Sequence, residues 1–415
     1  MYNNSTPRKS RGNSFGGSRN NSSRSQYGGG RNRGRGNSSN RGRSQNIDPK
    51  RFVKAAKPVE RATYQPEHSF EDFEIDNLLK RNLVAKKYDK PTQIQDQSVP
   101  IALKGGDIIG IANTGTGKTV AFLLPLLHKL LNNRGEKALI IAPTRELALQ
   151  IQEESRWLAR GGRLYDVLII GGAPMGRQLR DLQRKPEIVV GTPGRLKDHL
   201  ERGTIKLDDF TTVVLDEVDR MLDMGFINDI RNILQQLPKE RQSLFFSATM
   251  SRTIEQLIQS FTKSPETIMA RTAETSDNVE QSIMHYDHPS AKMDKLHDLL
   301  NTEQVTKTLI FSETKRSVEK LSNELSSRGF KSDAMHGDKS QNQRQRALKK
   351  FRDNHVEILV ATDVAARGID VDGVTHVVNY DVPQTYDDYT HRIGRTGRGD
   401  NPGNAVTFVQ KRQQR

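Results

Sequence analysis

The run Ala112-Asn113-Thr114-Gly115-Thr116-Gly117-Lys118-Thr119 links a β-branched segment, Asp107–Ile111, to the apolar stretch Val120–Leu131. A strand, a loop of small residues and a helix N-terminus, in that order, form a phosphate cradle. The loop's N–H groups would face a β-phosphate, Lys118 would reach the β/γ oxygens, and the Thr119 hydroxyl would ligate Mg2+. Ala112 stands where the strict pattern has its first Gly, and an ordinary βα turn with a surface lysine is the alternative. Further on, the segment Thr212–Leu215 ends in Asp216-Glu217-Val218-Asp219. Asp216 would complete a magnesium shell, and Glu217 would orient and deprotonate an attacking water. An acidic loop is usually a solvated turn. Three acids within the four residues after a buried strand, in the same domain as Lys118, favour catalysis.

These side chains need a scaffold. Six short runs read as strands: Asp107–Ile111, Ala138–Ile141, Asp166–Ile170, Glu187–Val190, Thr212–Leu215 and Ser243–Phe246. Continuous apolar strands separated by amphipathic helices predict a parallel α/β sheet covered on both faces. A polar run, Met269–Asn278, reads as a linker. A second series follows, with Thr308–Phe311, Glu357–Val360, His376–Asn379 and Ala405–Val409. Two sheets and a linker place the expected ligand site in a cleft between domains.

Composition narrows the classes. Of 65 Lys and Arg, ten fall in residues 1–47, where no acid occurs, leaving 55 against 50 acids in 48–415. The formal charge of +15 is thus largely that of a cationic arm, which suggests a polyanionic partner such as nucleic acid. The arm is almost entirely Gly, Ser, Asn and Arg and is expected to be disordered. Its four Arg-Gly pairs, at Arg11, Arg33, Arg35 and Arg41, are similar to RGG segments that bind single strands; a solubilising tail is the alternative. A mean hydropathy of −0.73, with no long apolar run, argues against a membrane span. The absence of cysteine excludes disulfides, thiolate catalysis and Cys-ligated metals. The N-terminus has no apolar signal region, and a cytoplasmic location is expected. Trp157, Met221 and Met224 read as packing residues, and His288, His297 and His355 lack metal-ligand spacing.

From about Phe70 to about Gln410 the sequence resembles the DEAD-box ATP-dependent RNA helicases, with Val218 in place of the family's Ala. The resemblance implies two RecA-like parallel-sheet α/β domains joined by a short linker. Their expected bounds are 48–271 for the ATP-binding domain, 272–280 for the linker and 281–415 for the second domain. Phe70 and Pro91-Thr92-Gln93-Ile94-Gln95 look like the family's adenine-reading element, in which Gln95 would bond the base edge and the Phe70 ring would pack near it. An amide suits that task because it offers a donor and an acceptor side by side.

Pro143-Thr144-Arg145-Glu146-Leu147-Ala148, Gly171-Gly172 and Thr192-Pro193-Gly194-Arg195 resemble the first-domain RNA-backbone elements, which implies contacts from Thr144, Arg145, Gly172, Thr192 and Arg195. Hydroxyls, Arg and Gly-exposed N–H groups all bind phosphate oxygens without reading bases. Ser247-Ala248-Thr249 resembles the element linking ATP state to strand separation, its hydroxyls bonding the Asp219 carboxylate. In the second half, Gly337, Gln341, Arg344, Thr362 and Arg367 would contact RNA, and Asp370 would lie near the ATP ribose. His391-Arg392-Ile393-Gly394-Arg395-Thr396-Gly397-Arg398 resembles the motif that donates arginine fingers. Arg395 and Arg398 would neutralise the transferring γ-phosphoryl group, with His391 and Arg392 coupling the two ligands.

The implied activity is RNA-stimulated ATP hydrolysis by a monomer, with Mg2+, driving local non-processive unwinding of short duplexes. An ATP-gated RNA clamp uses the same motifs and is the alternative. Val218 adds two methyl groups beside the acids; since the charged residues remain, activity is expected to survive. Lys87 stands where the family has Gly, and little sequence follows Val409 where the family adds a closing helix.

Overall fold

The structure is a computed structural model, and it describes residues 48–55, 64–113, 115–270, 278–366, 371–397 and 402–411. The first domain runs α1 (Asn77–Ala85), α2 (Gln93–Leu103), β1 (Ile108–Ala112), α3 (Lys118–Asn132), β2 (Ala138–Ile141), α4 (Arg145–Leu158), β3 (Asp166–Ile169) and α5 (Met175–Leu182). It continues with β4 (Ile188–Gly191), α6 (Pro193–Glu201), β5 (Thr212–Leu215), α7 (Val218–Asp223), α8 (Ile227–Gln235), β6 (Gln242–Ser247), α9 (Arg252–Gln259) and β7 (Glu266–Ala270). The second domain has β8 (Val279–Tyr286), α10 (Pro289–Leu300), β9 (Thr308–Phe311), α11 (Lys315–Ser327), β10 (Ser332–Met335) and α12 (Gln341–Arg352). It ends with β11 (Ile358–Ala361), α13 (Asp363–Ala366), β12 (His376–Asn379), α14 (Tyr386–Ile393) and β13 (Gly403–Gln410).

Both sheets are wholly parallel among the described residues. The first has the order β3-β4-β2-β5-β6-β1-β7, the second β10-β11-β9-β12-β13-β8. The two-residue period of the strands explains why their sequences are apolar throughout. Along β1, Ile108 packs into a core with α1–α4, whereas Ile109 and Ile111 pack into another with α6–α9. Likewise Leu309 and Phe311 face α12, and Ile310 faces α10 and α11. Each sheet is therefore buried twice, as parallel sheets require.

Sequence and structure part at the sheet edges. Met269 and Ala270 close β7 rather than open a linker, and Val279 and Glu280 already belong to β8, inside the expected 272–280 linker. Edge strands carry exposed positions: polar Glu266 and Thr267 and the apolar Met269 of β7 face outward while Ile268 and Ala270 are buried. A search for continuous apolar runs passes over them, as it does over β10 with Ser332 and Asp333. A second correction concerns Asp48–Ala55, expected in the first domain. Phe52 is fully buried among Val279, Tyr389, Ile393 and Ala405, which are second-domain residues. The arm 1–47, most of the linker and the C-terminal four residues lie outside the described residues.

Candidate nucleotide and nucleic-acid site

The cradle is built by two glycines. Gly115 (φ +82) and Gly117 (φ +92) adopt left-handed backbone, and Gly117 caps α3, so Lys118 and Thr119 open the helix. At Gly117 any side chain would both strain the left-handed backbone and displace the Gln95 amide, which a Cβ would strike. That amide is tied in: Gln95 Nε2 donates to Gly117 O at 3.0 Å, and its Oε1 accepts from Thr92 N at 3.0 Å. Gln95 thus fastens α2 to the phosphate loop, and one further amide N–H remains for a base.

Strand order brings the acids to this loop. β5, β6 and β1 are neighbours, so Asp216, Ser247 and Ala112 share the C-terminal edge where parallel sheets bind ligands. Lys118 is buried, and among the described residues its Nζ has no hydrogen-bond partner. Burial pushes the Asp216 carboxyl up, against the attraction of Lys118 and with the neighbouring Glu217 charge adding to the rise. Glu217 goes the other way. Burial opposes its charge, but Arg220, Lys118 and Arg395 together outweigh that and hold the carboxyl low. Arg220 Nη1 bonds Glu217 Oε2 at 2.7 Å, fixing it in a left-handed conformation (φ +55). Val218 points into the core with Leu215 and Met221, away from the acids' cavity. Its extra methyls crowd nothing reactive.

A cavity of about 650 Å³ opens over this edge, lined by Gln95, Gly117, Lys118, Thr119, Asp216 and Glu217, and from the second domain by Arg352, Asp372 and Arg395. An unpartnered buried cation, a helix N-terminus and buried carboxylates fit a triphosphate. The oxygen donors Thr119 and Asp216 suit magnesium, which takes one or two protein oxygens along with phosphates.

A second set of loops converges on the far half of each sheet. Thr144 caps α4, Gly171-Gly172 follows β3 and Thr192 caps α6, at the C-terminal ends of β2, β3 and β4. The Arg145 guanidinium lies against both glycines, so a Cβ at Gly172 (φ +79) would collide with it. Burial, and after it the Arg344 charge, lowers the Arg145 pKa from its ordinary value. Arg195 Nη1 donates to Ala173 O at 3.4 Å. In the second domain Gly337 and Thr362 sit at the ends of the neighbouring β10 and β11.

Comparison with known proteins supplies the name for this arrangement. Residues 92–257 match the family model "DEAD/DEAH box helicase", and 291–400 match "Helicase conserved C-terminal domain". The ATP-dependent RNA helicase CshA of Listeria monocytogenes is 45% identical over 345 residues, 83% of this chain and 66% of that protein. The chain thus spans about two-thirds of that relative's length. The solved structure of S. cerevisiae Dbp5 bound to RNA and ADP BeF3 is 30% identical, with TM-score 0.73, over 83% of this chain and 90% of that one. Mss116 bound to ssRNA and UDP-BeF is 29% identical, with TM-score 0.75, over 82% and 74%. The chain belongs to the DEAD-box RNA helicase family.

Against the DEAD-box expectations, most site residues gather in the two places described, with revisions. Gln341 and Arg344, expected on RNA, are buried and turned to Glu146: Gln341 Nε2 bonds Oε1 at 3.1 Å and Arg344 Nη2 meets Oε2 at 2.9 Å. They join the domains. Phe70 does not line the cavity; it packs edge-on behind Tyr88, whose ring does. Of the two hydroxyls expected on Asp219, only Thr249 reaches it, at 3.1 Å, helped by the N–H groups of Ala248 and Thr249. Ser247 instead accepts from Asp219 N and donates to Thr249 O. Arg392 forms a two-bond pair with Asp363, at 2.6 and 2.7 Å, and so braces α14 against α13. Thr114, Arg367, Asp370 and Arg398 lie outside the described residues.

Tyr88, Trp157, Arg220, Arg352 and Asp372 escaped sequence reasoning. Trp157 packs on the core, as expected, and also walls the cavity under the Lys86 ammonium, 5.1 Å from its ring. A signal existed. Gln150, Glu153, Glu154 and Trp157 follow the i, i+3, i+4, i+7 rule and form one face of α4, all of it on the cavity.

Proposed function

We propose that this chain is a monomeric, cytoplasmic RNA-stimulated ATPase that opens short RNA duplexes locally. One observation carries the reading. Arg395 of the second domain shares a cavity with Lys118, Asp216 and Glu217 of the first, and its charge reaches Glu217. Hydrolysis therefore depends on the domains being together.

Thr119 and Asp216 would hold magnesium, which when bound neutralises charge on the phosphates. Lys118 orients the β/γ oxygens, Glu217 takes the proton of the attacking water, and Arg220 holds Glu217 in place. Arg395 offsets the charge that develops on the leaving phosphoryl group. Gln95 reads the base with its remaining N–H, beside the Tyr88 and Trp157 rings. RNA phosphates lie along the C-terminal edges of β3-β4-β2 and β10-β11, met by Thr144, Arg145, Gly172, Thr192, Arg195, Gly337 and Thr362, and, as the family resemblance implies, by Arg367. The Gln341/Arg344 contact to Glu146 closes the two edges on one strand. Opening five stacked pairs at about 1.4 kcal/mol per step needs on the order of 7 kcal/mol, within reach of many backbone contacts but only locally. The likeness to two structures that hold RNA and a nucleotide together supports joint binding of the two ligands.

Displacement of a short labelled RNA duplex tests the reading. With ATP, a duplex of about ten pairs should separate and one of about thirty should not. Brisk ATP hydrolysis without strand separation would contradict unwinding, and equal stimulation by DNA would contradict RNA specificity.

A further inference from the structure

Asp48–Ala55 comes before the whole first domain in sequence yet lies on the second. Phe52 has no exposed surface, and its ring stands 4.6 Å from that of Tyr389. Two residues later the backbone pairs antiparallel with β8, Lys54 N donating to Gln281 O at 3.1 Å and Gln281 N to Lys54 O at 2.8 Å. The Gln281 side chain accepts the Tyr389 hydroxyl at 2.9 Å, and the Arg51 guanidinium lies 4.1 Å over the Tyr386 ring. The segment is thereby fastened both to the edge strand of the second sheet and to α14, the helix that leads to Arg395.

We propose that Asp48–Ala55 is a second tether between the domains, one that limits how far the nucleotide cleft opens. The chain returns to the first domain at Tyr64, whose hydroxyl donates to the buried Asp96 of α2 at 2.5 Å. From Ala55 to Tyr64 are nine Cα–Cα steps, a reach of roughly 32 Å at most. From Ala270 to Asn278, the covalent linker, are eight steps, or roughly 28 Å. Both connections arrive at β8. One tether leaves a swivel; two that meet at one edge leave a hinge. Removing widely open states raises the effective concentration of each domain at the other's surface. The closed arrangement, with Arg395 on the cavity wall, is then populated more often before any ligand binds.

The absence of cysteine makes the distance directly measurable. Arg163→Cys and Asn323→Cys place one dye on an exposed site of each domain for single-molecule energy transfer on the full chain without ligands. Two variants are compared, Phe52→Ala and an insertion of ten Gly/Ser residues within 56–63, which keeps the anchor but lengthens the tether. Both should increase the widely separated fraction at least fivefold, the insertion with no change in melting temperature. Should Phe52→Ala unfold the second domain, the insertion decides alone. An insertion variant with the distance distribution of the parent would overturn the tether and leave Phe52 as a packing residue. The readout involves no ATP or RNA, so it stands apart from any failure of the helicase reading.

Discussion

Asp216 and Glu217 are sequence neighbours, equally buried, that titrate in opposite directions because of what faces them. Glu217 is met by Arg220, Lys118 and Arg395 and stays ionised across the working range. Asp216 is pushed by burial up to about 6, and it must shed its proton to hold a cation. With magnesium held there as proposed, acid would compete with the metal. The value of kcat/KM for magnesium-ATP, which reports the free enzyme, should fall about tenfold per pH unit below roughly pH 6, while kcat falls much less. A pH profile flat down to the ordinary carboxylate range, near 4, would place the acidic limb elsewhere. That Lys118, Asp216 and Glu217 meet at one sheet edge was legible in the sequence, because each follows a short apolar strand. Arg220 was not, since only the left-handed turn at Glu217 brings its guanidinium back three residues.

At the scale of elements, the phosphate loop works because α2 and α3 are locked through Gln95 and Gly117. Gly117→Ala would place an alanine in left-handed backbone, costing roughly 1–2 kcal/mol, and would expel the Gln95 amide. The KM for ATP should rise at least tenfold, and the melting temperature should fall by a few degrees; an unchanged KM would show that the amide has no part in the site. Central strands such as Ala138–Ile141, Thr212–Leu215 and His376–Asn379 were readable to the residue, being buried on both faces. The edges β7 and β8 were hidden by their exposed polar positions, and β10 by the half-buried Ser332 and Asp333. Asp48–Ala55 was hidden more deeply. A single Phe among Lys and Arg has no periodicity, and its partners lie more than two hundred residues away.

For the whole molecule, the proposed functional event is closure. Glu146, Gln341 and Arg344 are buried together only while the domains touch, so Arg344→Ala should cost closure rather than folding. Breaking a buried ion pair costs about 3–5 kcal/mol. The RNA concentration for half-maximal ATPase should rise at least tenfold with the melting temperature nearly unchanged; a large loss of melting temperature with normal RNA response would make the pair structural. The role proposed for the arm is electrostatic. Deleting residues 1–47 removes ten cations, and the salt slope of RNA binding should flatten by about 0.7 for each phosphate given up. An unchanged slope would leave the arm with no hold on RNA.

The most direct measurement is phosphate release by the parent and by Glu217→Gln, with and without saturating single-stranded RNA, alongside RNA binding in a non-hydrolysable ATP analogue. The parent should be stimulated manyfold by RNA. Glu217→Gln should bind RNA and nucleotide as the parent does, yet release phosphate at the unstimulated rate. Normal RNA-stimulated turnover in Glu217→Gln would contradict the site.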